Sequence, residues 1–403
     1  MKKTACIALL FATFHLAHAQ VDSAVYFQVK QIVDATKQAY APDKRTKLVE
    51  IANADVTSNS YIVQTTEKQA AQNLQAELIH INGKIDVKLL PDESVGDKPY
   101  GIINLSVANL RTSPSHAAEM ATQLLLGTQV DILQKASGDY RVRTPEGYIA
   151  WVPTSSLVAM DKRDLDTWKN SKKLIYIDEF GRSYSQPDAK SQRISDLVYG
   201  NMLSVAGEEK GFYQVSYPDK RIAYVPKVQA ISFDEWLNSR QANANNILKS
   251  AKSMMGLPYL WGGTSVKGVD CSGFTKTSFF MNGYIIPRDA SQQVLHGDRV
   301  DILDADGNFD SQKALQNLRP ADLLFFAAGK NSNPKARVTH VALYIGNGEF
   351  IHAAGTVRIN SMLKDAPNYD DFQTRTVVAA RRYIGTNDPA IQKIEENNYY
   401  SKK

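Results

Sequence analysis

Three short signals occur twice in this chain, in the same order. Leu124-Leu125-Leu126-Gly127 is answered by Leu197-Val198-Tyr199-Gly200. Gly138-Asp139-Tyr140-Arg141-Val142 is answered by Gly211-Phe212-Tyr213-Gln214-Val215, and Ile149-Ala150-Trp151-Val152-Pro153 by Ile222-Ala223-Tyr224-Val225-Pro226. Recurrence in a fixed order marks a duplicated unit. The runs are short and separated by Ser-Pro, Leu-Gly, Ser-Gly-Asp and Pro-Glu-Gly turn signals, which specifies strands and, in series, a small all-β barrel. Two barrels are expected, over 99–160 and, more diverged, over 172–231, with the charged stretch Asp161–Ser171 between them.

The flanking texture differs. Residues 20–98 read as a mixed N-terminal domain. Val25, Val29, Ile32 and Val33 recur at helical spacing until Ala41-Pro42-Asp43 stops them. A second helical stretch, Thr66–Ala76, precedes Leu78–Ile85, which reads as strand, turn, strand; nothing there suggests chemistry. Over 245–385 helices come first: a stripe of Ile247, Leu248, Ala251, Met254 and Met255, taken as core and ended by Gly256, then the run from Cys271. Strands follow at Asp322–Ala327, Val338–Ile345, Phe350–Ala354 and Arg375–Ile384. That order gives an α+β domain. Residues 386–403 read as a loose polar tail. The fold class is α+β and multidomain.

The 403 residues hold two cysteines. Cys6 lies in MKKTACIALLFATFHLAHAQ, where two lysines, an apolar core and Ala17-His18-Ala19 describe a signal peptide over residues 1–19. The mature chain then carries Cys271 alone into the periplasm or the extracellular space, where thiols tend to be oxidised. A single thiol makes no internal disulfide; it is hidden or kept for reactivity. Net charge is +5 and falls to +3 once Lys2 and Lys3 leave, too little to argue for nucleic acid. No later apolar run spans a bilayer. Asp304-Ala305-Asp306-Gly307 lacks the further spacing and closing glutamate of a calcium loop, so neither metal nor cofactor is expected.

Cys271 follows a glycine-rich approach and precedes a helical apolar run, which places it at a helix start, where the dipole is expected to lower its pKa. A nucleophilic thiol needs a base, and the base needs an orienter. Of the mature histidines His80, His116, His296, His340 and His352, only His340 and His352 lie on strands in the domain of Cys271. A three-residue Gly346-Asn347-Gly348 loop is predicted, because it pairs Ala342 with His352 and sets both rings on one face, as diagonal neighbours roughly 7–8 Å apart at the backbone, and only that parity gives base and orienter. A two-residue loop would put them on opposite faces.

Leu110-Arg111, Gly127 and Gly147-Tyr148-Ile149-Ala150-Trp151-Val152 resemble the bacterial Src-homology-3-like domain. Pro258-Tyr259-Leu260-Trp261-Gly262-Gly263, Asp270-Cys271-Ser272-Gly273-Phe274, Arg288-Asp289-Ala290-Ser291-Gln292-Gln293, Pro320–Phe326 and Thr339–Gly346 resemble the NlpC-type bacterial cell-wall cysteine peptidases, a papain-like family. With barrels upstream, the chain is similar to the γ-D-glutamyl-L-diamino-acid endopeptidases. The resemblance implies Cys271 as nucleophile, His340 as base and then acid, and His352 as orienter. It implies an oxyanion hole of the Cys271 N–H and the Tyr259 hydroxyl. It implies peptidoglycan stem peptides with a free N-terminal L-alanine as substrates, and the cell wall as a partner. Asp270, or Glu119 with Tyr148, would take the ammonium; Ser272, Ser291 and Arg288 would take the α-carboxylate of the γ-linked glutamate. Ala321 departs from the family's usual glycine. The same site could serve an amidase or acyltransferase, and an idle wall-binding module is the reading from another class.

Overall fold

The computed structural model describes residues 24–329, 336–370 and 375–401, so the signal-peptide reading lies outside the described residues. At the N-terminus the helix 24–40 buries Val25, Val29 and Val33. It joins a three-stranded sheet of β1 (Val49–Asp55), β2 (Ser60–Thr65) and β3 (Lys84–Leu89). β3 runs parallel to β2, and helix Lys68–Leu78 makes the crossover between them. The strand expected from Leu78 is overturned. Ala70, Ala71, Leu74 and Leu78 form one buried helical stripe, and a strand starting at Leu78 would break it.

The duplication holds at the level of topology. The first sheet comprises β4 (Tyr100–Ile103), β5 (Val107–Arg111), β6 (Met120–Leu125), β7 (Gln129–Ala136), β8 (Asp139–Arg143), β9 (Ile149–Pro153) and β10 (Leu157–Met160), in the order β10-β4-β7-β8-β9-β5-β6. The second comprises β11 (Lys173–Tyr176), β12 (Phe180–Tyr184), β13 (Arg193–Val198), β14 (Met202–Glu209), β15 (Phe212–Ser216), β16 (Ile222–Pro226) and β17 (Ala230–Ser232), in the order β13-β12-β16-β15-β14-β11-β17. Strand for strand, the second order is the first read from its other edge. Neither sheet closes, which corrects the expected barrels. In the first, the end strand β6 spends its outer side on the catalytic domain instead of on β10. The stretch between the sheets is a helix, Lys162–Asn170, capped by Asp161.

The C-terminal domain has a six-stranded sheet in the spatial order Asp298–Val300, Arg375–Arg382, Leu323–Ala328, Val338–Gly346, Glu349–Ala354, Thr356–Ser361. Helix Cys271–Phe280 packs on one face, with Phe274 and Phe279 against Val341, Leu343 and Ile351. Of the two methionines expected in this core, Met254 is buried and Met255 is exposed, because the helix ends at Ser253 and the chain turns at Gly256 (φ 80°). Ala321, where the resemblance has glycine, adopts φ 71°, a left-handed conformation that costs an L-residue about 1–2 kcal/mol.

The tail is not loose. Gln392–Lys393 pairs with Tyr284–Ile285, Ile394 is fully buried, and the Tyr399 hydroxyl donates to Asp131 at 2.6 Å. Asn397 Nδ2 donates to the Pro145 carbonyl, and Tyr400 stacks on Phe233. The polar tail is thus a strap across both sheets and the catalytic domain, its few apolar and aromatic side chains supplying anchors that its overall polarity conceals.

Gln123 of β6 docks the first sheet onto the catalytic domain. Its side-chain oxygen accepts from Thr264 N (3.0 Å) and Ser265 Oγ (3.1 Å), and its backbone carbonyl accepts from Thr264 Oγ1. All of this is buried, so Gln123→Ala strands the Thr264 N–H without a partner. We expect it to cost about 2 kcal/mol, read as a lower urea midpoint. An unchanged midpoint would show that the docking does not depend on this side chain.

Candidate active site

Cys271 is the first residue of its helix. Asp270 caps that helix by accepting from Gly273 N at 2.6 Å. The sulfur is buried, close to the Ser272 and Val341 amides. Val341 follows His340 on the strand Val338–Gly346, so the thiol lies against the histidine strand. No hydrogen bond joins Sγ to the His340 ring among the described residues; such contacts are often long without substrate.

The histidine hairpin reaches the expected register by another route. The turn is two residues, Asn347-Gly348, both at positive φ (53° and 80°), and Gly346 pairs with Glu349. A bulge between Tyr344 and Gly346 then takes up one residue, so Leu343 pairs with Ile351 and the two histidines share a face. His340 Nε2 and His352 Nδ1 lie 2.9 Å apart.

The next partners fix which nitrogens carry protons. Asn360 Nδ2 donates to the Asn368 carbonyl, so its Oδ1 is the atom facing His352 Nε2 at 3.1 Å. Oδ1 only accepts, so His352 Nε2 bears the hydrogen and its Nδ1 is bare. His340 Nε2 must therefore be the donor, which leaves His340 Nδ1 with a free lone pair. Asn360 lies on the strand Thr356–Ser361, which the sequence reading did not foresee.

Electrostatics keep this site neutral at rest. Burial, then the Asp270 charge, pushes the Cys271 thiol up to about 12, against the helix-start amides and Arg288. That overturns the expected lowering: desolvation outweighs the dipole. Burial and the neighbouring His352, Arg375 and Arg358 depress His340 well below the usual histidine value. Burial, followed by the Arg375 charge, takes His352 down to about 3. The Tyr259 phenol is raised by burial and by the nearby Cys271 and Asp270, so it stays protonated and able to donate.

The remaining expected residues divide into two groups. Asp270, Ser272 and Arg288 are buried and hydrogen-bonded to one another. Arg288, 1% exposed, donates to both Asp270 oxygens (3.1 and 2.6 Å), to Ser272 Oγ (3.0 Å) and to Thr122 of β6 (2.9 Å). Ser272 Oγ also donates to Asp270 Oδ1, and Gly262 N donates to Oδ2. Glu119, by contrast, is exposed and accepts from Nε1 of Trp261, itself 60% exposed, at 2.7 Å. Ser291 is half-buried and accepts from Arg45 at 2.8 Å.

Two residues absent from the sequence reading of the site complete this end. The Tyr148 hydroxyl donates to Asp289 Oδ2 at 3.2 Å, and Arg45 of the N-terminal domain donates to the same oxygen at 2.9 Å. Asp289 opens the short helix Ala290–Gln293 with a capping box. It was visible only as a neighbour of Arg288, and nothing in the sequence around Arg45 marks it. Charges alternate along Asp270, Arg288, Asp289, Arg45 and Asp43, with Arg288 3.8 Å from Asp289. Three carboxylates and two guanidiniums leave the row one negative charge in excess.

Neutral buried imidazoles make stability depend on pH. The folded-state pKa lies below the unfolded value, so the contribution is complete above about 6.5 and is lost as pH falls toward 3, at most about 1.4 kcal/mol per pH unit per ring. The melting temperature should fall between pH 7 and pH 5, and His352→Gln should fall less over that interval. Parallel curves for the two proteins would contradict a neutral, buried His352.

Comparison with known proteins places this geometry. Residues 256–379 match the NlpC/P60 family and residues 110–157 the bacterial dipeptidyl-peptidase Sh3 domain. The chain is 28% identical over 279 residues to a γ-D-glutamyl-L-lysine dipeptidyl-peptidase of Bacillus cereus, spanning 67% of this chain and 77% of the relative. It is 27% identical to dipeptidyl-peptidase 6 of Lysinibacillus sphaericus, over 69% of this chain and 97% of the other. The crystal structure of an NlpC/P60 family protein from Bacillus cereus superposes with a TM-score of 0.57 at 26% identity, covering 70% of this chain and 99% of that one. The second sheet, outside the matched Sh3 segment, is tied to the first by its strand order. The chain carries an NlpC/P60 cysteine peptidase domain behind a bacterial dipeptidyl-peptidase Sh3 domain, and it is a cell-wall peptidase.

Proposed function

We propose that this is an exported cysteine endopeptidase that hydrolyses the γ-D-glutamyl-L-diamino-acid bond of stem peptides bearing a free N-terminal L-alanine. The observation that carries the reading is the hydrogen-bond chain from Asn360 through His352, which leaves His340 Nδ1 as a base on the strand that holds the thiol. In the proposed reaction Cys271 Sγ attacks the γ-carbonyl carbon while His340 Nδ1 takes the thiol proton. The oxyanion is held by the Cys271 N–H and the Tyr259 hydroxyl. His340 returns the proton to the leaving amine as the C–N bond breaks, giving a thioester. A water molecule, deprotonated by His340, then attacks the thioester; the C–S bond breaks and the thiol recovers its proton. His352 holds the His340 ring and its tautomer throughout.

Substrate choice is read from the other end of the cleft. The row of charges there lacks one cation, and a substrate ammonium supplies it. With Asp270 buried under Arg288, the ammonium falls to Asp289 and Glu119, with Tyr148 beside them. Ser291 keeps a hydroxyl proton for the glutamate α-carboxylate. The name of the Bacillus cereus relative, a γ-D-glutamyl-L-lysine dipeptidyl-peptidase, supports a dipeptide with a free amine as the released piece. Export is inferred from the N-terminal sequence.

The test uses L-Ala-γ-D-Glu-meso-diaminopimelate and its N-acetylated form, with products read by mass spectrometry. Mature protein should cut the free-amine peptide at the γ-glutamyl bond at least tenfold faster than the acetylated one, and Cys271→Ala should cut neither. Equal rates on the two peptides would remove the amine clamp. Activity surviving in Cys271→Ala would remove the cysteine mechanism.

A further inference from the structure

Arg45 is a point at which the N-terminal domain meets the start of helix Ala290–Gln293. Its guanidinium spans three partners: Nε and Nη2 donate to the two oxygens of Asp43, at 2.8 Å each, and Nη1 donates to both Asp289 Oδ2 and Ser291 Oγ. Its side chain and that of Asp289 are about one-third and one-quarter exposed, so the pair borders the open end of the site. We infer that Arg45 is a positioning residue for substrate recognition, holding the Asp289 carboxylate for the substrate's ammonium group. This rests on the proposed function, and it gives the N-terminal domain a part in substrate choice.

The hydrogen bonds set the direction of the effect. Asp289 Oδ2 receives both Arg45 and the Tyr148 hydroxyl, which fills its two lone pairs and fixes the carboxylate plane. Oδ1 stands 3.8 Å from Arg288, beyond hydrogen-bond range, and with the capping-box N–H of Gln292 counted the carboxylate still has one of its roughly four acceptor sites for an incoming donor. Arg45 does not neutralise Asp289, because Asp43 already balances its charge through a two-pronged contact. Asp289 therefore remains an anion in fixed orientation. Without Arg45, Tyr148 and the capping-box N–H of Gln292 would hold a partly exposed side chain with one charged donor fewer, and the ammonium would have to complete its ordering on binding.

A role as interdomain glue is the competing explanation, and the docking does not need this side chain. The Arg45 backbone carbonyl accepts from Ile149 N at 2.6 Å, and Leu48 and Leu90 pack against Leu133 and Ile149. Gln292 separately donates to Asp43 at 2.9 Å. Arg45→Ala should leave these contacts in place. Arg45→Lys keeps one charge and one donor but cannot reach Asp43, Asp289 and Ser291 together.

The experiment measures equilibrium binding of L-Ala-γ-D-Glu-L-Lys and its N-acetyl form to full-length protein in a Cys271→Ala background, where nothing is cleaved. Arg45→Ala should raise the dissociation constant for the free-amine peptide about tenfold and that for the acetylated peptide, which loses only the Arg45 support of Ser291, by a much smaller factor. Arg45→Lys should recover part of the loss, and in an Asp289→Asn background Arg45→Ala should add nothing. Equal loss for both peptides, tighter binding in Arg45→Ala, or an undiminished effect in the Asp289→Asn background would overturn the inference. Failure of the parent to bind the free-amine peptide would overturn it as well. Cleavage by the Cys271 form is scored separately: binding that depends on Arg45 without turnover would sink the proposed reaction and leave the recognition role standing.

Discussion

The buried ion pair between Asp270 and Arg288 is what the rest of the site depends on. A guanidinium with almost no exposure is costly to desolvate, and it is tolerated because nearly every donor it has is met. The pair does three jobs at once. Asp270 caps the helix that begins with Cys271, so the sulfur's position follows from the pair. Arg288 ties that cap to Thr122 of β6, so the first sheet is registered against the catalytic helix. Its neighbour Asp289 is then aimed at Tyr148 and Arg45. Cys271 and Arg45 are thereby joined by one electrostatic row through Asp270, Arg288 and Asp289.

The same burial explains the resting chemistry. A helix start lowers a thiol's pKa when solvent can help to stabilise the anion; here the sulfur is enclosed and Asp270 is the nearest charge. Neutral thiol and neutral imidazole are the low-energy pair in such surroundings. Charge separation then belongs to the reaction itself, when a carbonyl is present to receive electron density and the oxyanion donors are met. A site of this kind protects the Cys271 thiol, since the thiolate and not the thiol is the species that oxidants attack.

Much of the architecture was legible because it is periodic. The duplicated signals led to two sheets whose strand orders are mirror readings of each other, and the apolar stripes led to the helices around Val29, Ile247 and Phe274. That His340 and His352 meet on one face, on the sheet that packs against the helix of Cys271, was legible because the chain has few histidines and cysteines. Three kinds of feature were hidden. Sheet closure depends on what covers an edge, and β6 is covered by residues 141 positions away in sequence. The turn at Asn347-Gly348 and the bulge before it cancel in register, so parity was predictable and geometry was not. Asp270 and Arg45 each admit a solvated or a buried reading, and only tertiary partners decide between them.

The order of the modules follows from these contacts. The catalytic domain alone would present Asp289 with one oxygen unsupported and Trp261 without its Glu119 acceptor. The first sheet brings Glu119, Tyr148 and Thr122; the N-terminal domain brings Arg45 and Asp43. The C-terminal strap, anchored by Tyr399 on Asp131 of β7 and by Asn397 on the loop before β9, holds the sheet to the catalytic domain from the opposite side. A cleft whose end wall is assembled from three separate stretches of chain needs each held rigidly, and under the proposed reading recognition of a small charged group would tolerate little displacement. That requirement accounts for the buried polar interface around Gln123. An apolar interface of equal area would fasten the domains, but hydrogen bonds at Thr264 and Ser265 also fix the angle between them.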